Sequence, residues 1–158
     1  MIPLAPIFSK IKSNLLELEE LLEKERSALA TKDSDRIEKV ASLKKSLLDD
    51  IDTQTLKHSQ VLRKFNIVNQ KNQQTFDFKK WLAEQSKMDD VKLLVEECES
   101  LLEKCKLVNN TNAKVLNTVQ KRDKALLEML QGHHHKNKVY TQSGGTKPIS
   151  SKHTLGRA

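Results

Sequence analysis

Glycine and proline are scarce in this chain, with four and three residues among 158. Turn-rich β-sandwiches and α/β folds use more of both, so long helices are favoured. Aromatic residues make up 4% of the sequence and hydrophobic residues 37%. That composition suits a thin seam between helices and leaves no interior deep enough to enclose an active site. No stretch approaches the ~20 consecutive apolar residues of a membrane span. Met1 to Phe8 lacks the basic start and apolar run of a secretory signal, so a soluble cytoplasmic protein is expected.

The motifs of catalysis are missing as well. There is no glycine-rich phosphate loop after a strand, no His-Glu-x-x-His, no Gly-x-Ser-x-Gly and no Cys-x-x-Cys, and an enzyme is not expected. The two cysteines, Cys98 and Cys105, lie on one predicted helix, about 10 Å apart along its axis. A disulfide needs Cα atoms within about 7 Å, so the pair is read as small apolar fillers of a reduced protein. His133, His134 and His135 are consecutive but have no fourth ligand and no rigid frame, so neither a metal nor a cofactor is expected.

Acid is missing from the end of the chain. The formal charge is +7, yet from His133 to Ala158 there are four lysines and one arginine without a single Asp or Glu. The basicity therefore belongs mainly to a tail, while the rest carries interspersed, solvated charge. Nucleic-acid binding asks for a basic face on a folded element, ideally with aromatic platforms, and is not expected.

What the sequence does contain is periodicity. From Asp89 to Gln131, steps of three and four give Val91, Leu94, Cys98, Leu101, Cys105, Val108, Asn112, Val115, Val119, Arg122, Leu126 and Met129. Only Asn112 and Arg122 break the row, and Val95, Leu102, Leu116 and Leu130 widen it. Asp89 or Asp90 suits the first turn, and Gly132 stands where a helix commonly closes. Such a rod, helical over 89–131, cannot rest alone in water and needs partner helices.

Those partners precede it. Pro3 and Pro6 suit the start of a helix over 5–31, with Phe8, Ile11, Leu15, Leu18, Leu22 and Leu29 in its seam and Glu25 interrupting it. Residues 31 to 35 form a short polar turn, where Asp35 with Glu38 makes a capping box and Asp33 and Ser34 are rival caps. A second helix over 35–69 carries Ile37, Val40, Leu47, Leu48 and Ile51, then a polar middle at Gln54, Thr55 and His58, then Val61, Leu62 and Phe65. The alternative is a break near Thr53–Thr55, where β-branched residues lower helix propensity. Residues 66–77 lose the pattern, and a short helix over 77–85 puts Phe78, Trp81 and Leu82 on one face. That face is either a plug for one end of the bundle or a hydrophobic flap over a binding groove. The fold expected is all-α: an elongated antiparallel three-helix, coiled-coil-like bundle over 1–132, then a disordered basic tail over 133–158.

Asn112 within the seam reads first as a device that fixes helix register. Asn109, one turn earlier on an adjoining face, gives the alternative, a pair of amides offered to a partner's backbone.

From Asn109 and Asn112 onward the sequence resembles a known family. Leu107-Val-Asn-Asn-Thr-Asn-Ala-Lys-Val-Leu, then Val119, Arg122 and Ala125-Leu-Leu-Glu-Met-Leu, resemble the last helix of FlgN-type flagellar export chaperones. Leu15 to Glu25 and Lys44-Lys-Ser-Leu-Leu-Asp-Asp-Ile resemble the first two helices of that family. Val139-Tyr-Thr-Gln-Ser-Gly-Gly resembles its tail motif, with Thr141 standing where many members have glycine. The resemblance implies a non-enzymatic chaperone of flagellar type III secretion, acting in the cytoplasm. Its cargo would be the hook–filament junction proteins, bound through their C-terminal helices. The periodic stripe of the third long helix is the expected place for them, with Leu101, Val108, Val115, Leu116 and Val119 as apolar contacts and Asn109 and Asn112 pairing with polar groups of the incoming helix. Tyr140, with Val139, Gly144 and Gly145, would dock on the cytoplasmic domain of the export gate's membrane subunit. Without cargo, the seam is buried within the chain, by a homodimer or by domain exchange, and these alternatives stay open. A different class also fits the helices: a spectrin-like spacer, saturated by its own packing.

Overall fold

The computed structural model describes residues 1–131 and, in the tail, the backbone of 138–140 and 146–148. Four helices run in order: α1 (Ala5–Ala30), α2 (Ser34–Lys64), α3 (Phe78–Ala83) and α4 (Asp89–Leu130). The described residues divide into two compact units, Met1–Lys114 and Val115–Ala158.

Helix ends follow local chemistry. Pro6 sits at the start of α1, where a missing amide hydrogen costs nothing. At its other end Lys32 takes a left-handed φ of 53°. The Lys32 amide donates to Leu29 O (3.3 Å) and the Asp33 amide to Ala28 O (3.1 Å), a Schellman closure made without glycine. Of the three cap residues in the turn, Asp33 is the one used: its Oδ1 accepts from the Arg36 amide at 3.1 Å. The same closure ends α2 at Lys64, short of residue 69. Asn66 has φ 56°, and the amides of Asn66 and Ile67 donate to Arg63 O and Leu62 O at 3.0 and 2.9 Å. Asparagine is among the few residues that tolerate this conformation. The middle of α2 is unbroken, and the hydroxyls of Thr53 and Thr55 donate back along the helix to Asp49 O and Ile51 O at 2.9 and 3.0 Å.

Inside the first unit, side-chain contacts fix the helix directions. Phe8 meets His58 and Glu25 meets Lys44, so α1 and α2 are antiparallel. On the other side Cys98 Sγ donates to Phe8 O (3.5 Å), Cys105 Sγ to Leu15 O (3.6 Å) and Asn112 Nδ2 to Leu22 O (3.0 Å). Each step is seven residues on both helices, so α4 runs parallel to α1 in a fixed heptad register. The small side chains at these positions let α4 approach the α1 backbone closely. Leu4, Leu15, Leu22, Leu82, Val91 and Val95 fill the seam; each such burial contributes about 1.5–3 kcal/mol. This is the all-α, antiparallel three-helix architecture the periodicity predicts.

Both cysteines are free and buried. Burial raises both thiol pKa values, with Glu97 adding to the effect at Cys98 and Glu19 at Cys105. They are therefore protonated and unreactive at neutral pH.

In the tail, β1 (Lys138–Tyr140) pairs antiparallel with β2 (Thr146–Pro148), Val139 opposite Lys147 and Tyr140 opposite Thr146. Loss of apolar periodicity gives no sign of this short ladder, although Val, Tyr and Thr are strand-favouring residues. The expected helix stop at Gly132 and the expected docking positions Gly144 and Gly145 lie outside the described residues, as do His133 to His135.

Candidate helix-binding surface

The heptad row that binds α4 to α1 continues past the point where it is buried. Val91, Cys98, Cys105 and Asn112 are all buried; Val119, next in the row, is half-buried and Leu126 is exposed. Beside it, Leu94, Leu101 and Val108 are half-buried against the core, while Val115 and Met129 are 42% and 61% exposed. Within Val115–Leu130, Leu116 is half-buried and Leu126, Leu127 and Leu130 are exposed. Within Met1–Lys114 the apolar face of α4 is thus occupied, and within Val115–Leu130 its apolar residues are half-buried or exposed. Among the described residues no helix is long and apolar enough to cross a membrane.

The seven residues proposed from sequence fall into three groups. Val115, Leu116 and Val119 belong to the open half. Leu101 and Val108 pack against the core. Asn112 is 3% exposed, and its Nδ2 donates within the chain to Leu22 O and, at 2.9 Å, to Glu25 Oε2.

Glu25 and Asn112 break their own seams, and they break them at the same place. Glu25 Oε1 accepts from Lys44 Nζ at 2.7 Å, and Lys44 Nζ also donates to Asn109 Oδ1 at 3.1 Å. One polar cluster therefore joins α1, α2 and α4, with every charged group paired. It gives Asn112 the register role and ties the exposed Asn109 to α2. Farther out, Lys12 and Glu97 pair at 2.7 Å across α1 and α4, but both are about a third exposed, so the pair contributes at most about 1 kcal/mol.

A second cluster was not visible in the sequence as a unit. His58 of α2 stands edge-on to Phe8 of α1 and Phe78 of α3, at centroid distances of 5.3 and 4.6 Å, and Phe78 stacks on Phe8 and Trp81. His58 Nε2 is buried without a hydrogen-bond partner among the described residues. Burial lowers the His58 pKa; Lys79 and Glu99 are the charged groups lining the same space. The folded state therefore prefers neutral imidazole, and the unfolded chain takes up the proton more readily. Stability is complete above the ordinary imidazole value of about 6.5 and falls as pH drops through it toward the lowered folded value. Melting temperatures at pH 7.5 and 5.5 should show this loss, and His58→Phe should reduce it. An unchanged pH dependence in the variant would assign the loss to other groups.

Among the described residues no group of His, Cys, Asp and Glu is placed to hold a metal ion. What the fold offers is a helical scaffold in which α4 carries exposed apolar residues at Val115, Leu126, Leu127, Met129 and Leu130. Comparison with protein families gives the narrower answer: the model described as FlgN protein matches residues 4–148, and the chain belongs to that family. It is a flagellar export chaperone. No curated protein and no solved structure matches the chain.

Proposed function

We propose that this chaperone binds the C-terminal helices of hook–filament junction proteins in the cytoplasm, keeps them export-competent and delivers them to the export gate. The observation that carries this reading is the open part of α4, where Leu126 is exposed in continuation of the buried heptad row and Val115 and Met129 are exposed in continuation of the half-buried row beside it. An apolar stripe of this kind receives an amphipathic helix in the helix-in-groove mode. Val115, Leu116 and Val119 are the contact residues, Asn109 meets polar groups of the cargo, and Leu101, Val108 and Asn112 form the inner end of the row. Without cargo, a second copy covers the same stripe. The experiment is a titration of the full chain with a junction protein and with the same protein lacking its terminal helix. Binding that survives the deletion would remove the support for this reading.

Delivery is assigned to Tyr140, with Val139, Gly144 and Gly145 around it, docking on the cytoplasmic domain of the gate's membrane subunit. Tyr140 is the chain's one tyrosine, and lysines with no acid surround it. Burying such a ring in a partner contributes roughly 1.5–3 kcal/mol, so Tyr140→Ala should weaken gate binding about ten- to hundredfold. Cargo affinity should stay unchanged. Calorimetry with the isolated gate domain, cargo present, measures the first, and equal gate affinities would make Tyr140 a passive residue.

A further inference from the structure

The short helix α3 lies over a groove that it does not fill. Phe78 stacks on Phe8 at 5.7 Å and Leu82 is buried, yet beside Phe78 there remains a cavity of about 290 Å³. Its walls are mainly apolar: Phe8, Ile11 and Leu15 from α1, Ile51 from α2, Val95 and Leu102 from α4. An engineered cavity of about 150 Å³ already accepts benzene, so this space has room for more than one further ring or branched side chain. At its rim Lys79 Nζ meets Glu99 Oε2 at 2.8 Å, and Glu96 adds its charge.

The occupant is a short element. α3 has six residues, and the segments on both sides, 66–77 and 84–88, have no α-helix. Residues 66–77 satisfy much of their hydrogen bonding locally, as where Asn69 and Asn72 exchange side-chain and backbone bonds. So short a helix contributes little stability by itself. Its place rests on Phe78, Trp81, Leu82 and one exposed ion pair.

We infer that α3 is a placeholder in a second helix-binding groove, and that it lifts to admit a longer amphipathic helix from a partner. The groove states what that helix carries. An aromatic residue replaces Phe78 on Phe8, a basic residue directly after it replaces Lys79 at Glu99, and further apolar residues enter the unfilled space. This groove lies within residues 8–102, and the inference goes beyond the cargo reading, which places the partner on the open half of α4.

Trp81 is the chain's single tryptophan, so its emission reports the position of α3 directly. The probe is a fluorescein-labelled peptide of residues 74–88 with Trp81→Phe, titrated into the full chain. A site occupied by its own lid has its affinity reduced to the fraction of time the lid is open. The full-chain variant Phe78→Ala should therefore take the peptide about tenfold more tightly than the unaltered chain. In the unaltered chain, saturating peptide should shift Trp81 emission to the red and raise its quenching by acrylamide. Lys79→Glu, which sets like charges against each other at the exposed rim and leaves the apolar packing alone, should also strengthen peptide binding. Peptide carrying Lys79→Glu should bind less well. Unchanged Trp81 emission at saturation, or equal affinities for the three chains, would overturn the inference. So would unfolding of both variants, which would make α3 a structural plug. No arm uses a junction protein, so this inference and the cargo reading fail separately.

Discussion

Replacing Lys44 by methionine is expected to lower the unfolding free energy by about 3 kcal/mol, more than a hundredfold in the folding equilibrium. Lys44 is partly shielded, but Glu25, its partner at 2.7 Å, keeps only 9% of its side chain exposed. Methionine preserves the apolar stem and removes the charge, so the carboxylate of Glu25 stays buried with Asn112 Nδ2 as its neutral donor. A hydrogen bond from an amide does not replace an ion pair for a carboxylate that is itself buried. The double variant Lys44→Met with Glu25→Leu should recover most of the loss, since a buried pair exchanged for apolar groups is often neutral or better. Urea unfolding of the three proteins measures both steps. A single variant within 0.5 kcal/mol of the parent, an exposed-site value, would mean that the cluster is solvated and does not hold α4 in register.

That cluster shows how far sequence reasoning reaches. Periodicity is a property of one helix, so the seams of α1, α2 and α4 were each legible, and so were Glu25 and Asn112 as interruptions. Their meeting depends on the offset between two helices, which neither seam encodes. It appears only once Phe8, Leu15 and Leu22 are seen opposite Cys98, Cys105 and Asn112. Lys44 is one of many lysines in the sequence, and nothing local sets it apart. The end of α2 is a different case. Its apolar face ends at Phe65, and the helix stops there because Asn66 turns left-handed. Asparagine at that point is a readable signal of the turn, short of the expected end at 69. His58 read as a polar gap on α2, because its aromatic neighbours come from two other helices. The open half of α4 was legible as a stripe but not as a surface, since exposure depends on which partner helices are present.

Exposure is also what makes the proposed cargo site testable apart from stability. Val115→Asp and Leu126→Asp, at positions 42% and 57% exposed, should leave helix content and melting temperature nearly unchanged, because a carboxylate there remains in water. Once a cargo helix covers the stripe, the same carboxylate is desolvated without a partner, a penalty of about 3 kcal/mol or more. Affinity for a junction protein should then fall over a hundredfold for either variant. The matching control is Val95→Asp, at a position 6% exposed, which should unfold the bundle before any binding is measured. Calorimetry and circular dichroism on the three variants separate the cases. A spacer saturated by its own helices predicts a different pattern: substitutions in the stripe change neither stability nor binding, since nothing lands there. If Val115→Asp instead unfolds the protein as Val95→Asp does, that residue is core and the open half of α4 is not a docking surface. If both stripe variants fold and bind as the parent does, cargo sits elsewhere on the helices. The groove beneath α3 would then be the next surface to probe with cargo.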